Sequence, residues 1–389
     1  MRTGWGFLLL ILVVLGGSAL SNLLLPSHSE VLNRLSGLDK ARIVEAVHLR
    51  RQLGDRVWAG WGAAEIPVIL YNEEQAFLVG CSNPSPGWNT VPQQVRHGGD
   101  WQRVPGDAVD GQAYYRQRLP DDGATPQAFT VRVGQAWVAS MTTKDWTAIA
   151  VGNQIRDGLP SLVRPFVPYR LAARVFTGLA MDTDGYIAAI GHESFHAFQG
   201  MVAATRLEDA ETLLARHGKR YPWDERRFTD AWKAELDALA DALSAKDETH
   251  AMELGRKFIS LRTGRRLSFH LDADLVNLER LREWEEGLGK YTELALWKLA
   301  AADPAYHPVP ALGRDPDFKQ YQRFSQRWTQ EMITLRMQAG AGEGRFYYSG
   351  MAQAFLLDRL SPGWRTSVLG DDVSLEGLVD QAVARTGSR

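Results

Sequence analysis

The chain has 389 residues, with 44 Lys and Arg against 46 Asp and Glu, 45% hydrophobic and 23% charged residues. These average values exclude a disordered, collagen-like or coiled-coil protein, and a formal net charge of -2 without a long basic run gives no electrostatic footprint for nucleic acid. A single Cys excludes an intrachain disulfide.

The N-terminus is apolar. From Thr3 through Ser29 there is no Asp, Glu, Lys or Arg, and Phe7 to Leu15 is an unbroken apolar run preceded by Arg2. Small residues at 17–21 fit a cleavage site, and the stretch to Pro26 is also long enough to span a bilayer at about 20 residues. Residues 1–26 therefore read as a signal peptide or an N-terminal membrane anchor. Either places the remainder outside the cytoplasm, periplasmic or secreted, with membrane attachment possible through this segment.

Residues 38–54 predict a helix ended by Gly54. The period then changes to two. Ile66 to Tyr71 and Gln75 to Val79 predict a hairpin across Asn72-Glu73-Glu74, Ala113 to Leu119 a third strand, and Phe129 to Val133 with Ala136 to Ser140 a second hairpin across Gly134-Gln135. This β-rich lobe, 38–144, carries Trp58, Trp61, Trp88, Trp101 and Trp137, which read as core or, less simply, as a sugar-stacking surface. Beyond 145 the pattern is helical to 389, with helices expected over 160–179, 186–203, 206–217, 223–246, 273–301, 315–338 and 346–360. The fold class expected is α+β, a β-rich N-terminal lobe followed by a mainly helical lobe.

Within 186–203 lies His192-Glu193-Ser194-Phe195-His196. Four residues apart on a helix, the two imidazoles share one face and can hold one zinc ion at about 2.0–2.1 Å from each nitrogen. Glu193, beside the first ligand, can serve as general base toward water at the metal. Asp182-Thr183-Asp184 offers the helix cap, and Ile187, Ile190, Phe195, Phe198 and Val202 its apolar packing. Catalytic zinc takes a third protein ligand, to be found downstream. Glu286, Glu285, Glu283, Glu279 and His270 are the candidates.

The segment Glu286-Gly287-Leu288-Gly289-Lys290-Tyr291-Thr292-Glu293 resembles the E-G-x-A-x-Y-x-E stretch of gluzincin metallopeptidases of the aminopeptidase N-like branch. The resemblance implies a zincin-like fold, one Zn²⁺ per chain, Glu286 as third ligand and hydrolysis of a peptide or protein substrate. Gly287 and Gly289 support it, because glycine in a helix interior costs about 1 kcal/mol and close approach to the zinc-binding helix would explain it. Arg345-Phe346-Tyr347-Tyr348-Ser349-Gly350 is similar to the Y-x-x-G segment of the same enzymes, which implies Tyr347, with Tyr348 as the alternative, as a donor to the oxyanion. Ser349 stands where the family has Lys, and no G-A-M-E-N signature precedes His192. The 89 residues between His196 and Glu286, far more than in those enzymes, read as inserted helices over 210–265.

Glu293 and Gln199 are candidates to orient the imidazoles. Phe129 to Ser140 is the candidate edge strand for an extended substrate. Two alternatives stay open: a non-catalytic envelope or binding protein on a gluzincin scaffold, and a zinc hydrolase of a non-peptide amide or ester.

Overall fold

Ser36 begins the first long helix, α1 (Gly37–Val57), by accepting the Asp39 amide on its hydroxyl at 3.1 Å. Gly54 lies inside this helix, against Gly62, instead of ending it. The computed structural model describes residues 16–126, 131–370 and 373–384. Phe7 to Leu15, on which the signal or anchor reading rests, and Phe129-Thr130 fall outside them. Among the described residues no helix is long and apolar enough to cross a membrane.

After α1 come β1 (Val68–Tyr71), β2 (Gln75–Val79), β3 (Trp88–Thr90), β4 (Arg96–His97), β5 (Gln102–Arg103), β6 (Tyr115–Arg118), β7 (Val131–Val133) and β8 (Ala136–Thr142). They form one sheet in the order β4-β3-β7-β8-β1-β2-β6-β5. The β1–β2 hairpin is antiparallel, and its turn is built by Asn72, whose side-chain oxygen accepts the Glu74 and Gln75 amides. β1 and β8 pair in parallel, Val68 opposite Ala139. Side chains of β1 alternate between two cores, as the period of two requires: Val68 and Leu70 join the large core shared with the helices, and Ile69 and Tyr71 the smaller core on the other face.

Two expectations about this lobe are corrected. β7 lies between β3 and β8, and β8 between β7 and β1, so neither is an edge strand of the sheet, whose edges are the two-residue strands β4 and β5. All five tryptophans are at most 8% exposed, which removes the sugar-stacking surface.

The helical part runs α2 (Lys144–Gly158), α3 (Tyr169–Ala180), α4 (Thr183–Val202), α5 (Ala204–His217), α6 (Arg226–Ser244), α7 (Glu248–Ser268), α8 (Ala273–Arg282), a π-helical turn (Glu283–Gly287), α9 (Leu288–Ala302), α10 (Phe324–Met337), α11 (Gly344–Leu360), α12 (Arg365–Val368) and α13 (Leu375–Ala384). The architecture is α+β. Three helix expectations change. Residues 160–168 are not helical beyond a 3-10 turn (Arg164–Phe166), because Pro165 and Pro168 supply no amide donor, and α2, before them, was not anticipated. The single helix over 273–301 is interrupted by the π turn. The helix expected from Asp315 starts only at Phe324. Asp315 pairs with Arg42 and Thr183, and Asp184 takes the amides of Lys319 and Tyr321, so these backbone donors leave the helical pattern. Gln320 and Tyr321 accordingly adopt positive φ.

α1 belongs to the helical layer. Trp58 donates to Thr292 of α9 at 2.7 Å and stacks on Phe195 of α4, while Glu45 accepts from Tyr306 and Tyr321.

Candidate metal centre

α4 is capped by Asp182, whose carboxylate accepts the Gly185 amide at 2.9 Å, and Tyr186 ties it to the end of β8 through a bond to Thr142 O. Ile187, Ile190, Phe195 and Phe198 are buried, whereas Val202 is half exposed and does not pack as expected. The burial of that apolar face turns His192 and His196 inward, 7% and 0% exposed, with their rings 4.6 Å apart.

α9 passes beneath them. A Cβ added to Gly289 would lie 2.7 Å from His192 Nε2, so this helix position admits no side chain. Gly287 answers a different need from the one anticipated. It meets Gly350 of α11, where either added Cβ would strike the other backbone within 3 Å, and it therefore serves the crossing of α11 and not the approach of α4.

The π turn rotates Glu286 toward the imidazoles. Its Oε2 lies 3.5 Å from His192 Nε2 and 3.5 Å from His196 Nε2, and its Oε1 accepts from Arg282 at 2.8 Å. Ligand atoms bound at 2.0–2.2 Å with tetrahedral angles sit about 3.3–3.6 Å apart. The two measured separations match this, and the ligand atoms of all three residues fall within 4.8 Å of one another. Glu286 Oε2, fully buried, makes no hydrogen bond among the described residues. With both imidazole Nε2 atoms turned to this oxygen at ligand-to-ligand spacing, the donor set fits a divalent metal that would be bound by the neutral imidazoles. The chemistry of two imidazoles and one carboxylate suits zinc.

The supporting residues have defined partners. His196 Nδ1 is 2.8 Å from Gln199 Oε1, and the Gln199 amide donates to Trp284 O at 2.9 Å, which fixes the amide so that its oxygen faces the ring and Nε2 is left to face Glu286. Glu293 Oε2 stands 3.8 Å from His192 Nδ1. Gln199 is thus within hydrogen-bond distance of its imidazole, whereas Glu293, which accepts from Lys290 at 2.8 Å, is only a charged neighbour of His192. The competing candidates are elsewhere: Glu285 is on Arg282, Glu283 on Arg262 and Ser349, Glu279 on Arg265 and Tyr221, and His270 is exposed.

Burial disfavours charge on His192, but Glu286 and Glu293 outweigh it and hold its pKa up at about 9. His196 is lowered, by burial first. Burial pushes Glu193 up to about 8, with Glu286 and Glu293 adding to it and His192 opposing. Tyr347 is nearly parallel to His192, ring centroids 6.0 Å apart, and burial followed by the Glu286 carboxylate drives its hydroxyl well above the usual value. Tyr348 points away, its hydroxyl raised by burial and by Glu331.

Four contributors escape sequence reading. Arg282 holds Glu286 together with Glu211, Glu285 and Glu343; its spacing of four from Glu286 is the one local signal. Ser349 donates to Glu283 at 2.6 Å and clamps α11 to the π turn. Helices α6 and α7, the long segment between the ligands, deliver Glu235, Arg262 and Arg265 into a buried network that grips Glu279 and Glu283 on either side of the turn's start. Tyr71, at the end of β1, is raised to about 12 by burial, with the charge of Glu193 contributing.

No protein-family model matches the chain, and no curated protein or solved structure is similar to it.

Proposed function

We propose that the protein is a zinc-dependent hydrolase of peptide bonds with a zincin-like, gluzincin-type site, holding one zinc per chain through His192, His196 and Glu286. The observation that carries the reading is Glu286 Oε2, buried without a hydrogen bond and 3.5 Å from both imidazole Nε2 atoms. Zinc with three protein ligands and an open position supplies Lewis acidity toward a carbonyl and toward water. Glu193, beside His192 on α4, would take the proton of the attacking water and return it to the leaving amine. Tyr347, with its hydroxyl against the Glu286 carboxylate, donates to the oxyanion that develops on the substrate carbonyl. Arg282 keeps Glu286 ionised and aimed.

The uncharged stretch from Thr3 to Ser29 supports an exported, extracytoplasmic protein.

Metal analysis should find about one zinc per chain, lost in His196→Ala, and Glu193→Gln should keep zinc while losing hydrolysis of a peptide library and of N-acyl amides. Full zinc retention by His196→Ala would sink the ligand assignment. Equal inactivity of wild type and Glu193→Gln on every substrate would favour a non-catalytic binding protein.

A further inference from the structure

The helical turns over 16–24 are built inside out for a protein surrounded by water. Ser18 and Asn22, four apart and so on one face, are 6% and 8% exposed, whereas Leu20, Leu23 and Leu24 are 54%, 80% and 74% exposed. The polar face is consumed by the protein itself. Asn22 Nδ2 donates to Val167 O at 2.7 Å, its Oδ1 accepts the Arg170 amide at 3.3 Å, and the Arg170 guanidinium donates to Leu25 O at 2.8 Å and to Asn22 O. These bonds join the N-terminal turns to the hairpin made by α2 and α3.

The hairpin repeats the inversion. On α3, Tyr169 and Ala173 are buried, Ala173 against Gly152 of α2. The exposed side of the helix presents Leu171 and Val175, opposite the buried pair, at 45% and 53% exposure, and Phe176, beside Tyr169 on the helix wheel, is 63% exposed. The turn before α3 adds Leu162, 85% exposed, and Phe166, 49%. Large apolar side chains exposed together on neighbouring segments mark an interaction face. On the α3 side its charge is positive: between Asp157 and Asp182 the charged residues are Arg164, Arg170 and Arg174, while α2 adds Lys144, Asp145 and the paired Arg156 and Asp157. Immediately before residue 16 the sequence supplies the unbroken apolar run Phe7 to Leu15, so the face continues a segment suited to hydrocarbon.

We propose that the N-terminal turns and the α2–α3 hairpin together form a seat on an anionic lipid surface, with the leucines of 16–24, Leu162, Phe166 and Phe176 in the boundary between headgroups and acyl chains and Arg164 and Arg174 at the lipid phosphates. An apolar helix face flanked by arginines is the pattern that lies in a membrane interface, and each cation near an anionic surface strengthens the hold. The seat is independent of the metal centre and stands whether or not the protein is a hydrolase.

The test uses the full chain with the partly buried Cys81 replaced by Ser (Cys81→Ser), labelled with an environment-sensitive fluorophore at Leu162→Cys or Phe176→Cys, both highly exposed sites. Leu267→Cys, 70% exposed on α7, which packs against α6 and α13, is the control. With phosphatidylcholine vesicles carrying roughly a third phosphatidylglycerol, labels at 162 and 176 should lose most of their access to an aqueous quencher and shift to the blue, and the label at 267 should not change. Labels at 162 and 176 that stay as accessible as the control on vesicle-bound protein would overturn the proposal. Shielding that grows with protein concentration without vesicles would assign the face to a second copy and overturn it equally. Equal shielding by pure phosphatidylcholine would overturn the part given to the arginines.

Discussion

Gly289 lies directly under His192, so close that a Cβ on it would stand 2.7 Å from the imidazole Nε2. Helix propensity alone favours Ala over Gly by about 1 kcal/mol, so Gly289→Ala tests packing against propensity. The variant should fold, yet displace His192 and weaken zinc binding at least tenfold in a chelator competition. Wild-type affinity in Gly289→Ala would show that the ring can give way without cost.

Arg282 is the common partner of Glu211, Glu285, Glu286 and Glu343. Removing it leaves buried carboxylates uncompensated, an effect of about 3–5 kcal/mol. Arg282→Gln should therefore lower the unfolding midpoint in urea sharply, and Arg282→Lys, which keeps the charge without the fork, should fall between the two. A stability equal to wild type in Arg282→Gln would contradict the reading of this cluster as a charge clamp.

Gln199 links His196 to Trp284 O. Gln199→Leu keeps the volume and removes both bonds, and metal affinity should drop by roughly 10–100-fold while the circular dichroism spectrum is unchanged. If zinc binds as before, the orientation of His196 comes from packing alone.

Tyr347→Phe removes only the hydroxyl. On a hydrolysed substrate, kcat should fall by about 10²–10³ with KM little changed, as for loss of an oxyanion donor, and zinc content should stay at wild type. Tyr348→Phe, at a hydroxyl directed to Glu331, should leave kcat near wild type.

Glu279 contributes to the acid dependence of the fold, as does Glu376, held low against its burial by Arg262, Arg266 and Arg280. Burial works to raise its pKa, but Arg265 and Arg266 dominate and hold it at about 2, below the ordinary carboxylate value. A depressed pKa means that the stabilisation is complete above the unfolded value near 4.3 and is lost as pH falls through about 2. The contribution is on the order of 3 kcal/mol. Stability measured from pH 5 down to pH 2 should decline, and Glu279→Gln should flatten that slope while lowering stability at neutral pH.

Legibility in the sequence followed range along the chain. The β1–β2 turn was readable because Asn72 bonds residues two and three positions on. The His192–His196 pair was readable because both sit on one helix, where spacing alone sets neighbourhood. Glu286 could be singled out only through resemblance, since 89 residues separate it from His196. The helix expected from Asp315 failed for a long-range reason: Asp184, more than 130 residues away, captures the Lys319 and Tyr321 amides. Pro165 and Pro168, by contrast, carried a local stop signal at 160–168 that periodicity concealed.

By itself the sequence determined the two imidazoles, the carboxylate between them in the chain, the alternation of the sheet and the apolar start of the protein. Each of these is a consequence of spacing within one element. Tertiary structure alone decided that Glu286 faces both histidines from a π turn, that Arg282 and the helices between the ligands brace it, and that β8 runs between β7 and β1. Those outcomes depend on which distant charges are buried together, and a buried carboxylate is tolerated only where packing delivers its partner.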